Sequence, residues 1–283
     1  MLAVVSFLNA KPLTEGLDER FDLIQAVPAE CWELVCSGRA DLGLIPAIGL
    51  GEEPGLAIVP DVAIAAEGPV RSVVLITRGR MEGLRSVAVD ESSRAAAALL
   101  RVLCARRFDV GPRFVSAAPN WEAMLEQHDA ALLIGDPALA LAEDERFYAR
   151  RDLKLIDIGD EWTRWTGLPF VFAVWAGKAE RVTPEVVTEL QEARDRGLGR
   201  LEAIARAAAQ NPAQESRNLS YLREAIRYQL SEPELAGLRR FLDLAGELLL
   251  LAGGRREPHE LKFAGLTPPV GPVAIAEQAG HGG

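Results

Sequence analysis

The chain has 283 residues, 49% of them hydrophobic and 25% charged, and its 41 acidic and 31 basic side chains leave a formal charge of −10. That profile fits a soluble globular protein with room for two lobes and excludes a disordered or fibrous one. No clustered basic face offsets the repulsion of an acidic protein from phosphate, so nucleic acid is not an expected partner.

Met1 runs into LAVVSFL without the basic segment or cleavage site of a secretory leader. The apolar stretch Leu248–Ala252 is far short of the ~20 residues a membrane span needs. Neither a leader nor a membrane partner is expected. Cys31, Cys36 and Cys104 have neither metal-site nor redox spacing; they read as small core or half-buried residues in a reducing compartment, and the protein as cytoplasmic.

Short β-branched apolar runs alternate with helical patterns, the signature of βαβ units and a mostly parallel sheet. Strands are predicted at Leu2–Ser6, Leu42–Ile45, Ala57–Ala65 and Ser72–Thr77, with a helix over about Pro28–Ser37. After the polar break Arg78–Gly83 come strands at Ser86–Val89, Arg113–Ser116 and Ala130–Ile134, and helices at Arg94–Arg107 and Trp121–Gln127. Pro169–Trp175 is a returning strand, and beyond it only helices are predicted. Thr183-Pro184 opens one of them, while Ser231 and Glu234 form the capping box of a last long helix that Gly253 and Gly254 can end. This order predicts a discontinuous first lobe, 1–77 plus 175–263, a second lobe inserted at 78–174, and a loose tail at 264–283.

In open parallel sheets ligands bind beyond the carboxyl ends of strands, beside helix N-termini. Ser6 and Asn9 end the first strand, and Pro46 ends the strand after the turn-like SGRAD. Arg71 and Ser72 start a strand that crosses between lobes. The arginine there either forks a carboxylate or pairs with a surface acid. Asp90-Glu91-Ser92-Ser93-Arg94 leads into an Ala/Leu helix, where the serines either cap the helix or, with Arg94, face an anion. Gly135-Asp136 ends a buried strand. Trp162, Trp165, Thr163, Thr166 and Gly167 precede the return strand, either walling a ring-shaped ligand or packing between lobes. HExxH, CxxC, P-loop and GxSxG motifs are absent, and GLGEEPG from Gly49 lacks a dinucleotide context. His128, His259 and His281 are scattered. No metal and no cofactor is expected.

Taken in order, VSFLNAKPL, SGRADLGLIP, GPVRSVVL, VAVDESSRAAAALL, AALLIGDPAL and DEWTRWTGLPFVFAVWA resemble the signature segments of the chorismate dehydratase family of menaquinone biosynthesis, over roughly residues 4–176. The chain departs mildly, with Phe7 in place of the commoner Tyr and Ala10 in place of Thr.

The resemblance implies an α/β, two-lobed clamshell of the type II periplasmic-binding-protein kind, each lobe a mostly parallel sheet flanked by helices. It also implies loss of water from chorismate to give 3-[(1-carboxyvinyl)oxy]benzoate. The expected site has Asn9, Ser92 and Asp136 as catalytic residues and Ser6, Pro46, Arg71, Ser72, Ser93, Arg94, Gly135, Thr166 and Gly167 as substrate-binding ones. No base is evident in these segments, so the enolpyruvyl carboxylate of the substrate, held by Asn9 and the serines, is the expected proton acceptor, with Asp136 as the alternative on the protein. The partner expected is this small dicarboxylate, and a homodimer is compatible with the sequence. A non-catalytic carboxylate-binding protein of the same shape, and the sister enzyme that makes 1,4-dihydroxy-6-naphthoate, remain open on the residues alone.

Overall fold

The computed structural model describes residues 1–53, 55–250 and 261–264. The expected helix stop at Gly253 and Gly254, His259, His281 and all of the expected tail except Ala264 lie outside them. Ala264 itself donates to the Ile58 carbonyl at 3.1 Å.

Two five-stranded sheets carry the chain. The first contains β1 (Leu2–Val5), β2 (Leu23–Ala26), β3 (Leu42–Pro46), β4 (Leu56–Ala66) and, from much later, β10 (Phe170–Lys178), in the order β2-β1-β3-β10-β4. The second contains β5 (Val73–Thr77), β6 (Ser86–Asp90), β7 (Arg113–Ala117), β8 (Ala130–Ile134) and β9 (Lys154–Asp157), in the order β7-β6-β8-β5-β9.

In the first sheet β1 is parallel to β2 and β3, while β10 is antiparallel to both β3 and β4. The second repeats this pattern: β6 is parallel to β7 and β8, and β5 is antiparallel to β8 and β9. Four strands of each sheet thus run one way. The reversed strand in each is the one the chain enters from the other sheet, so the two crossovers form the hinge of a two-lobed α/β fold.

Hydrogen bonding places β5 in the second sheet and β10 in the first. The changes of sheet fall between Ala66 and Val73 and between Asp157 and Phe170, earlier than the boundaries expected after 77 and 174. β5 and β8 are buried along their whole length, as apolar runs inside a sheet must be, with Thr77 the one polar residue of β5. The edge strands β2 and β9 carry no such run and are largely half-exposed or exposed; the sequence reading does not contain them.

Behind the hinge the helix Glu232–Glu247, the last among the described residues, holds the lobes together. Its Phe241 meets Trp162 and Phe170 edge to face, with centroids 6.3 and 4.8 Å apart, and Glu247 pairs with Arg106 at 3.0 Å. The capping box at its start is formed: the Glu234 carboxylate accepts the Ser231 N–H at 3.2 Å. Among the described residues no helix is long and apolar enough to cross a membrane.

Candidate active site

Between the lobes lies a narrow cleft of about 60 Å³, lined by residues of both sheets. Each wall comes from the end of a strand. β1 supplies Val5 and leads to Phe7 and Asn9, β3 ends in Pro46, β8 leads to Gly135, the first crossover brings Val70 and Ser72, and β10 supplies Phe172 and Ala173. The lobe-two floor is the start of the helix Ala95–Arg106, with Ser93, Arg94, Ala95 and Ala96.

The cleft is largely apolar, and Arg94 is the one charged side chain among its described lining residues. One edge of the guanidinium pairs through Nη2 with Glu52, on the first lobe, and the group lies 5.5 Å over the Trp32 ring. Its Nε is buried without a partner, as is Asn9 Oδ1 across the cleft. A buried donor and acceptor left unmade are costly, so each has bonding capacity that no described residue uses. The amino end of a twelve-residue helix at the same point adds a field that favours an anion.

The two cleft serines are held from behind. Ser93 Oγ accepts the Ala97 N–H at 3.2 Å, and Ser72 Oγ accepts the Tyr221 hydroxyl at 2.8 Å. Each hydroxyl has one proton and two lone pairs, so each keeps its proton for a ligand.

The expected residues divide between places. Asn9, Pro46, Ser72, Ser93, Arg94 and Gly135 line the cleft. Ser92 does not: its hydroxyl donates to Asp90 Oδ1 at 2.7 Å, and its N–H to the same oxygen at 2.9 Å. That buried Asp90, whose other oxygen takes the Ile134 N–H at 3.4 Å, ties the β6 turn to β8.

Arg71 and Asp136 face an adjoining, more open cavity. The Arg71 guanidinium is taken by Ser220 Oγ at 2.9 Å and Glu224 at 3.1 Å, while the Arg71 backbone N–H donates to Asp157 Oδ2 at 2.6 Å. Ser6 donates its N–H to the Ala26 carbonyl at 2.9 Å. Thr166 and Gly167 finish the helix Ile158–Thr166: the threonine hydroxyl donates to the Trp162 carbonyl at 2.9 Å, and Gly167 takes the left-handed turn. Trp162 is fully buried in the hinge core, so the aromatic wall of the cleft is Phe172 and Phe7.

The lobes meet through consecutive residues that separate the two cavities: Phe7, Ser72 and Gly135 face the cleft, and Leu8, Arg71 and Asp136 the outer cavity. Asp136 Oδ1, from lobe two, accepts the Leu8 N–H from lobe one at 3.0 Å. Burial pushes the Asp136 carboxyl above the ordinary aspartate range, partly offset by that bond and by Lys11. Gly135 has φ +61°, and a methyl group built on it would fall on the Phe7 ring. The close approach of the lobes here requires glycine.

A family model for menaquinone biosynthesis matches residues 1–247. The chorismate dehydratase of Thermus thermophilus is 33% identical over 259 residues, which cover 87% of this chain and 95% of that protein. Among solved structures, protein AF1704 of Archaeoglobus fulgidus superposes with a TM-score of 0.68 at 16% identity, over 88% of this chain and 97% of that one. The periplasmic aliphatic sulphonate-binding protein SsuA of Escherichia coli gives 0.60 at 15% identity, over 98% and 97%. At such identities the last two show the periplasmic-binding-protein fold alone.

Proposed function

Because the chain belongs to the chorismate dehydratase family of menaquinone biosynthesis, we propose that it eliminates water from chorismate in the cleft between its lobes, giving 3-[(1-carboxyvinyl)oxy]benzoate without a cofactor. The lobes that close on the substrate are, in this reading, residues 1–66 with 170–250 and residues 73–157, and the reaction belongs to the cytoplasm. The observation that carries the reading to this site is the unpartnered Nε of Arg94 in an otherwise apolar cleft. In this reading a substrate carboxylate is the partner that donor lacks.

Chorismate has two carboxylates. In this reading Arg94 and the start of the helix Ala95–Arg106 hold one of them, and Ser72, Ser93 and Asn9 orient the other end of the molecule. In the reaction the ring C–H bond beside the enolpyruvyl ether breaks, its electron pair forms the new ring double bond, and the allylic C–O bond breaks. The proton and hydroxide leave as water. Gaining an aromatic ring supplies the drive, so positioning and oriented donors are the work left to the protein.

The described cleft residues include no carboxylate, histidine, lysine or cysteine to take the proton. Asp136 lies in the adjoining cavity with one oxygen on Leu8 N–H. Both facts favour the enolpyruvyl carboxylate of the substrate as the base. Asp136→Asn keeps an acceptor for Leu8 and should consume chorismate at close to the parent rate. A loss of turnover with chorismate binding intact would make Asp136 the base.

A further inference from the structure

Tyr221 has no part in the dehydration outlined above, yet it borders the adjoining cavity and stands behind Ser72 of the cleft wall. It opens the π-helical turn Tyr221–Ala225 that follows the helix Pro212–Ser220. Such one-residue widenings of a helix recur at functional sites. Arg71 clamps the same turn to the lobe crossover through Ser220 and Glu224, so the phenol is delivered to one point. Its hydroxyl donates to Ser72 Oγ at 2.8 Å, 149 residues away, and the two residues are 2% and 1% exposed. Burial drives the Tyr221 pKa well above the ordinary tyrosine value, so it remains a proton donor throughout the working range.

We propose that Tyr221 is a positioning residue that, by donating to Ser72 Oγ, turns the proton of Ser72 into the cleft toward a carboxylate of the bound substrate. The inference rests on the dehydratase reading for the identity of that substrate. A serine hydroxyl otherwise samples three staggered rotamers. With one lone pair held by a buried phenol, the outward donor is fixed before the ligand arrives, which lowers the ordering cost of binding. The bond to a carboxylate exists in ground state and transition state alike, so its loss belongs in KM more than in kcat.

The test is steady-state kinetics on chorismate with the full chain and three variants: Tyr221→Phe, Ser72→Ala and the pair. Tyr221→Phe should raise KM about tenfold, the worth of one hydrogen bond to a charged group. In the Ser72→Ala background the same change should add less than about twofold. An unchanged KM in the single variant overturns the inference. So does an equal effect in both backgrounds, which is what general damage to packing would produce. Failure of the parent protein to consume chorismate would instead remove the dehydratase reading; chorismate affinities of the same four proteins, by calorimetry, then decide the role of Tyr221, and absence of binding to the parent overturns both.

Discussion

Arg94→Ala is expected to lower kcat/KM for chorismate by about 100- to 1000-fold, the worth of two hydrogen bonds to a charged group lost from a partly desolvated site. The guanidinium is the one charge among the described cleft residues, and it stands at the start of the helix Ala95–Arg106 with one edge on Glu52 and Nε free. Glu52 belongs to the first lobe and Arg94 to the second, so the pair also spans the closing interface. Arg94→Lys should recover only part of the loss, since an ammonium keeps the charge but cannot serve Glu52 and a carboxylate through one planar fork. Kinetics of both variants, with circular dichroism to check the fold, would decide. A fall of less than about threefold in Arg94→Ala, below the worth of a single such bond, would move the carboxylate elsewhere.

Gly135→Ala should be nearly as damaging for a different reason. At φ +61° a side chain costs roughly 1–2 kcal/mol, and the added methyl lands on the Phe7 ring from the opposite lobe. The second lobe still folds, but the lobes are held apart at the point where Leu8 and Asp136 bond. A loss of about 100-fold in kcat/KM is expected, equivalent to nearly 3 kcal/mol. Truncating the ring in the same chain, Phe7→Ala with Gly135→Ala, should restore at least about tenfold, since non-additivity is the mark of direct contact. No recovery would mean that the backbone conformation alone carries the effect.

The sequence made the central strands legible because β8 is an unbroken apolar run and β5 is one up to its last residue, Thr77. The edge strands LIQA and KLID have no such pattern, and their partners lie in other segments. At the site, residues that follow strand ends were accessible to reasoning: Asn9, Pro46, Ser93, Arg94 and Gly135 all lie in the cleft because the sheets point them there. What eluded it is long-range pairing. Nothing local says that Arg71 is occupied by Ser220 and Glu224, or that Glu52 meets Arg94. Tyr221 sits in a polar helical run, NLSYLREA, with no signal of the π turn that buries it. A buried aspartate just before a helix was the one available hint for Asp90 as an organiser, since acids there commonly bond nearby N–H groups.

The most direct test of the whole account is to mix the purified protein with chorismate alone and follow the products by chromatography with mass detection. The account predicts a new aromatic species lighter than chorismate by one water, formed catalytically. Chorismate that stays unchanged while it stabilises the protein against heat would contradict it and make the clamshell a carboxylate-binding protein.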